Sequence, residues 1–505
     1  MNIKRAKQEI THAVQAYLVK DQFGNYQIPT VRQRPILLMG PPGIGKTQIM
    51  EQIAQELNIG LVAYTITHHT RQSALGLPYI EHHTFAGREY TVTEYTMSEI
   101  LASVYRTMEQ SGSKEGILFL DEINCISETL TPMMLQFLQC KTFGNQRLPE
   151  GWVIVAAGNP PEYNKSVREF DVVTLDRVKR IEVQEDYPVW KEYAIRKGLH
   201  SAILSYLDIR KDNFYRIEAS ADGMQFVTAR GWEDLSEILH TYEQLNIAVD
   251  RDLIQQYLQL PRIAKDFANY LALYEKYRKV YQIDDVLNGT WDSLRTRELS
   301  AAPFDEKLSV LGLILSRLNE LARNTWRLEK ITERLHESLL RVKTCLEHQA
   351  PILTLQNALN GINQEIAAKK EAGSTDRETL QQLYITAQTL EQYIHTLELE
   401  VPEQPFERLK ELFASTLSDR ETSANATGQA LEHAFAFLDA ALGNSQELVM
   451  FATELTAGFY TSWYIEQFGS DAYFKHNKDL LFNDTQEALL HEISMARKAD
   501  TAPLA

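Results

Sequence analysis

Cysteine is scarce in this chain: three in 505 residues, Cys125, Cys140 and Cys345. An odd count without close pairs argues against a disulfide framework or a zinc ribbon, and the expected location is the reducing cytoplasm. Cys125 and Cys140 lack a His or Asn in a triad-like setting and are expected to be small buried hydrophobes. Basic residues are also in short supply. Lys and Arg number 51 against 68 Asp and Glu, a net charge of −17. That balance argues against a general nucleic-acid binder, because neutralising phosphates takes an excess of cations. A local basic groove stays open. Long apolar runs are missing, and none approaches the ~20 residues of a membrane span. The opening MNIKRAKQEITHAVQAYLVKD scatters charges where a secretion signal needs an apolar stretch.

What is present is ordinary globular composition, 44% hydrophobic and 24% charged, at a length suited to roughly two to four domains. Residues 5–19 read as an amphipathic helix with Ile10, Ala13, Val14, Tyr17 and Leu18 on one face. From 36 to about 182, short apolar runs (ILLM, LVAYTI, ILFLD, VIVAAGN, RIEV) alternate with helical patterns. Such runs predict buried parallel strands and an α/β sheet. One segment breaks the rhythm: GLPYIEHHTFAGREYTVTEYT predicts a β-hairpin turning at Ala86-Gly87. Residues 187–283 read as helical throughout, and 287–305 as a linker. Beyond it, Leu328, Ile331, Leu335, Leu339, Val342 and Leu346 form one apolar seam. Leu380, Leu383, Ala387, Leu390, Ile394 and Leu397 form another, behind a capping box of Thr375 and Glu378. Both seams are expected to pack within the chain as a bundle, with a coiled coil between chains as the other outcome.

Five pieces carry chemistry. The first is Gly40-Pro41-Pro42-Gly43-Ile44-Gly45-Lys46-Thr47, between an apolar strand and a helix. It fits G-x-x-x-x-G-K-[ST], in which glycines let backbone N–H groups turn inward around phosphates. Lys46 is then placed for the β- and γ-phosphates and Thr47 for Mg²⁺. The second, ILFLDEIN, ends a strand in Asp121, beside Mg²⁺ at the carboxyl edge of the sheet. Glu122 follows. A second carboxylate can orient a water aimed at the γ-phosphate, so hydrolysis is favoured over transfer to a small molecule. The third, VIVAAGNPPEYN, ends a strand at Asn159, which can position that water, although an Asn here is most often a turn residue. The fourth, VVTLDRVKRIEV, offers Arg177 and Arg180. The fifth, FVTARGWEDLSEIL, puts Arg230 at a helix N-terminus, where the helix dipole does not favour a cation.

In this order the pieces resemble the AAA+ ATPases over residues 1 to about 285, and more narrowly their MoxR-like branch. The narrower likeness rests on TRQSALGLP with its hairpin, LDEIN, AAGNP, LDR before a strand, and ARGWEDL. The resemblance implies a P-loop α/β core over 1–185 and an α-helical lid over 186–286; the linker at 287–304 and the helical region over 305–505 rest on the residue pattern alone. The resemblance makes Gly40 to Thr47 the Walker A loop and Asp121 with Glu122 the Walker B pair. Asn159 becomes the sensor-1 residue, Arg177 the finger offered to a neighbouring subunit, and Arg230 the sensor-2 residue. Val178 stands where the branch often has Phe, which leaves Arg180 as the other finger, and Arg230 is open between its own and the neighbour's nucleotide.

The implied ligands are ATP and Mg²⁺, and the implied assembly is a hexameric ring. The implied work is chaperone-like remodelling or activation of a protein client, von Willebrand factor A-domain proteins among them. A nucleic-acid motor is the competing reading, for which the hairpin offers only Arg88 and nearby Arg71 against Glu81, Glu89 and Glu94. A nucleotide-gated scaffold using the C-terminal helices is the third. Tyr79, Phe85 and Tyr90 on the hairpin are candidates for client contact, with packing the plainer expectation. The pairs His68-His69 and His82-His83 are not expected to hold a metal, since neighbours on a strand face opposite sides.

Overall fold

The computed structural model describes residues 1–476 apart from 69–71, 73, 75, 129, 144–145, 164–166, 168–169, 221–222, 346–349 and 372–376. Two compact units divide the chain. One comprises Met1–Tyr193 with Arg210–Lys265, the other Ala194–Ile209 with Asp266 onward. His69, Arg71, Leu346 and Thr375 lie outside the described residues, as does the side chain of His68.

In the first unit the five apolar runs become strands of one parallel sheet. These are β1 (Ile36–Met39), β2 (Gly60–Thr65), β5 (Gly116–Asp121), β8 (Trp152–Gly158) and β9 (Lys179–Glu182), ordered β2-β5-β8-β1-β9. Side chains alternate across a strand, so each run serves two cores. Leu37, Leu118, Leu120, Ile154 and Ala156 pack with Ile100, Leu101, Val104, Met134 and Phe137, from the helices Glu99–Ser111 and Thr131–Cys140. Ile36, Leu38, Ile117, Phe119, Val153 and Val155 pack on the other face with Ala6, Ile10, Val14, Ile49 and Ile53. Those last residues come from the helices Ile3–Leu18 and Lys46–Leu57. Burial on both faces is why the runs are continuously apolar rather than alternating.

The expected hairpin is present as β3 (Pro78–Phe85) and β4 (Arg88–Tyr95). Its turn residues Ala86 and Gly87 have φ of 52° and 77°, the two left-handed positions of a type I′ turn. A short ribbon, β6 (Thr142–Phe143) with β7 (Gln146–Arg147), follows the helix that ends at Cys140. Cys140 is exposed there rather than buried, and Cys125 is half-buried. A second hairpin, β10 (Arg216–Ser220) with β11 (Gly223–Val227), stands within residues that read as wholly helical. Its register pairs Ile217 with Phe226, and the strands are too short for alternation to outweigh the helical patterns beside them.

The second unit is helical among its described residues. Its longest members are Phe304–Cys345 and Pro405–Leu442, of 42 and 38 residues. Pro351–Glu371 and Arg377–Glu400 lie between them in sequence. Both seams turn inward to one core, in which Ile331, Leu335 and Leu339 meet Leu383, Leu390 and Leu397. Glu378 reaches across to a second helix. Both its oxygens accept from Arg327, at 2.6 and 2.8 Å, a bidentate pair that fixes register between helices. Thr325 shares hydroxyl hydrogen bonds with Ser423 and Thr427, each 2.9 Å. Residues 287–304, expected as linker, hold a helix at Ser293–Ala301 capped by Asp292. Leu390 is fully buried, so Leu390→Ala is expected to cost about 2–5 kcal/mol, read as a lowered denaturation midpoint of the full chain. No described helix is long and apolar enough to cross a membrane.

Candidate functional site

Where β1 ends, Gly43 and Gly45 take φ of 73° and 90°. That left-handed backbone aims successive N–H groups into one concavity, an anion nest capped by the N-terminus of the helix Lys46–Leu57. Lys46 is 8% exposed. Its ammonium donates to the carbonyls of Gly40 and Pro41 and to Asn159 Oδ1, each at 2.8 Å. Burial pushes its pKa down to about 8. Arg230 presses the same way, while Asp121 and Glu122 oppose. A buried cation of this kind is poised for an incoming phosphate.

The strand order brings the remaining pieces to the same edge. β5 and β8 are neighbours with Leu120 opposite Ala156, so Asp121 and Asn159 leave adjacent strands together. Asp121 Oδ2 accepts from Thr47 Oγ1 at 3.1 Å. A hydroxyl and a carboxylate held this close are the hard oxygen donors that suit Mg²⁺. Glu122 sits at φ 56°, a left-handed conformation costing a non-glycine residue about 1–2 kcal/mol. The turn is held by Glu122 N donating to Asp121 Oδ1, Ile123 N to Ala157 O and Cys125 N to Glu122 O, each 2.9 Å. Asp121 and Glu122 therefore diverge although they are consecutive.

Arg230 belongs to the same cluster. It is the second residue of the helix Ala229–Leu245, whose cap Thr228 accepts from Gly231 N. A Cβ on Gly43 would lie 3.1 Å from Thr228 Cβ and 3.5 Å from Arg230 Cβ, so the phosphate loop needs glycine where this helix begins. Tyr215 fastens the approach by donating to Pro42 O at 2.9 Å, and burial raises its phenol pKa.

Arg177 stands elsewhere. It follows the short helix Val172–Leu175 and is exposed, donating to Gln139 Oε1. β9 runs parallel to β1 from Ile36↔Lys179 to Met39↔Glu182, so Arg177 lies where β1 begins and the loop lies where β1 ends. A strand length of about 13 Å separates them, at ~3.3 Å per residue. Val178 next to it is buried in the sheet core. Arg180 is paired with Glu182 on its own strand at 2.5 Å.

Motif reading missed Thr67 and took Asn124 only as part of LDEIN. Thr67 Oγ1 donates to Glu122 Oε2 at 2.9 Å. β2 neighbours β5 with Thr65 opposite Asp121, which carries Thr67 past the strand end to Glu122. Only the strand order makes that visible. Asn124 Nδ2 donates to Asn159 O at 2.7 Å, and a polar residue amid Ile123, Cys125 and Ile126 was its one sequence signal. On the hairpin, His82 faces Glu89 and His83 faces Glu94 and Glu81, on opposite sides of the ribbon. Tyr79, Phe85 and Tyr90 are exposed.

Residues 36–176 match the family model described as ATPase family associated with various cellular activities (AAA). No curated protein matches the chain. Among solved structures, NtrX from Brucella abortus in complex with ADP is similar at 16% identity, with a TM-score of 0.23. The match covers 39% of this chain and 40% of that one. The parallel sheet with helices on both faces is a P-loop AAA+ core, and a mainly helical C-terminal region follows it.

Proposed function

We propose that this chain hydrolyses ATP as a MoxR-like AAA+ ring ATPase that remodels or activates a partner protein. The observation that carries the reading is a split one. Lys46, Thr47, Asp121, Glu122, Asn159 and Arg230 serve one pocket edge, while Arg177 lies a strand length from it on the same chain. An arginine so placed is far from its own chain's phosphate loop, which supports the reading that it serves a phosphate in another copy.

The chain's own groups divide the work. The nest at Gly43 and Gly45 and the Lys46 ammonium take the phosphates, replacing the Gly40 and Pro41 carbonyls as partners of Lys46. Thr47 and Asp121 would hold Mg²⁺, which would supply positive charge to offset that of the phosphates. A water between Glu122 and Asn159 attacks the γ-phosphorus. Glu122 accepts its proton as the new P–O bond forms, and the bond to the bridging oxygen breaks with its electron pair leaving on ADP. Arg230, beside Gly43 of its own chain, serves that chain's nucleotide. Arg177 from the neighbour spreads the charge of the transition state, and the Arg180 pairing with Glu182 favours Arg177 for that task.

A protein client suits the hairpin. Exposed Ile80, Phe85 and Tyr90 stand among Glu81, Glu89 and Glu94 with one arginine at the turn, a surface that repels a phosphate backbone and accepts mixed polar and apolar contacts. The test is specific activity against dilution, with mass followed by light scattering. Turnover per chain should fall as the assembly dissociates. Brisk, concentration-independent turnover by single chains overturns the ring reading.

A further inference from the structure

We infer that Asn124 is a positioning residue that locks Asn159 to the turn carrying Glu122, so that the water-positioning amide and the base move as one body. The inference rests on the hydrolysis reading for its kinetic consequence, and on geometry alone for the lock.

Asn124 is 2% exposed. Its Nδ2 reaches the main-chain carbonyl of Asn159 at 2.7 Å, and its Oδ1 is buried without a hydrogen-bond partner. The amide is therefore half satisfied. A buried unpaired carbonyl costs stability, and an apolar side chain of similar size would avoid that cost. What the amide adds is one bond, and that bond ends on Asn159. The other face of the same side chain lies on Gly158, where a Cβ would come within 2.5 Å of Asn124 Oδ1. Glycine at 158 is thus the room that Asn124 occupies. The orientation of the amide is set by its neighbours, because turning it over would aim an oxygen at the Asn159 carbonyl.

Two bonds then tie the strand ends together. Ile123 N donates to Ala157 O and Asn124 Nδ2 to Asn159 O. Between them they fix the left-handed Glu122 turn against the last residues of β8. Asn159 in turn accepts from Lys46 at 2.8 Å. The run Lys46, Asn159, Asn124 and the Glu122 turn is one connected path from the phosphate cation to the base. A shift at Asn159 when Lys46 transfers to a phosphate passes along it to Glu122, and Asn124 is the side chain in the path to which the hydrolysis reading gives no contact with nucleotide or water.

The test uses the full chain as Asn124→Ala, Gly158→Ala and the double variant, with ADP affinity, hydrolysis, thermal unfolding and amide hydrogen exchange measured on each. Asn124→Ala is expected to leave ADP affinity within about threefold and to lower kcat about tenfold or more, with the loss in kcat rather than KM. Gly158→Ala pushes on Asn124 and should reproduce that loss. The double variant refills the space without restoring the bond, so its thermal stability should recover while kcat stays low. Recovery of kcat together with stability shows packing alone and overturns the inference. Exchange in the peptides holding 121–125 and 157–159 should quicken in Asn124→Ala. Unchanged exchange overturns the lock whether or not the wild-type chain hydrolyses ATP. Wild-type inactivity with quickened exchange in the variant overturns the hydrolysis reading and leaves the lock standing.

Discussion

Glu122→Gln is expected to lower ATP hydrolysis by about 10²- to 10⁴-fold, the range for losing a general base, with ATP still bound. The substitution keeps the shape of the side chain and an oxygen that can accept from Thr67, the partner of Glu122 at 2.9 Å. It leaves untouched the Lys46 ammonium, the Thr47–Asp121 pair and the loop glycines, which are proposed to hold the nucleotide. The turn itself survives, since the left-handed φ of 56° suits glutamine no worse than glutamate and the three bonds around it are all main-chain or from Asp121. What disappears is the capacity to take a proton from water. Single-turnover phosphate release with a parallel fluorescent-nucleotide titration separates the two quantities. Near-wild-type release would reduce Glu122 to a solvated residue after a strand. Lost nucleotide binding would place it in the phosphate grip instead.

The ease of reading this site from sequence varied with how local each feature is. The phosphate loop was legible because Gly43, Gly45, Lys46 and Thr47 act within one strand-turn-helix, where eight consecutive residues specify the geometry. Asp121 and Asn159 were legible at one remove, each being the polar residue that closes a continuous apolar run. The same continuity announced the sheet, because strands covered on both faces carry no polar alternation. Thr67 was hidden since its reach to Glu122 depends on β2 lying beside β5, a long-range fact. Asn124 was read only as part of a motif, because nothing in a sequence says that Gly158 is vacant to receive it. The β10–β11 hairpin was lost for a different reason: five-residue strands flanked by strong helical patterns give too little periodicity to stand out. In the second unit the two seams were plain, and their burial against each other fits the preference of short-looped helices for partners in the same chain. Glu378 shows the limit there: no local pattern announces that both its oxygens accept from Arg327 on another helix.

Arg177→Ala is expected to lower hydrolysis by about 10³- to 10⁵-fold, the range for removing an arginine finger, while nucleotide affinity stays nearly unchanged. The second half follows from where Arg177 sits. It is at the sheet edge where β1 begins, bonded to Gln139, so its own chain's Lys46, Thr47 and loop glycines lose nothing when it goes. Its exposure, beside the outward Val172 and Val173 at 81% and 57%, leaves the guanidinium and two apolar side chains presented to a second copy. Arg180→Ala is the control: Arg180 already has Glu182 as its partner on β9, and its loss should leave most of the turnover. The decisive step is mixing. A chain lacking Arg177 keeps its own Glu122, and a chain carrying Glu122→Gln keeps its own Arg177. Where the second sits next to the first, one seam holds both groups, and the two inactive proteins should regain activity in proportion to the number of such seams. A mixture that stays dead, with mixed assemblies shown to form, means either that the cation does not cross between chains or that Arg177 is not the residue that crosses. Arg180→Ala tested the same way then decides between those two.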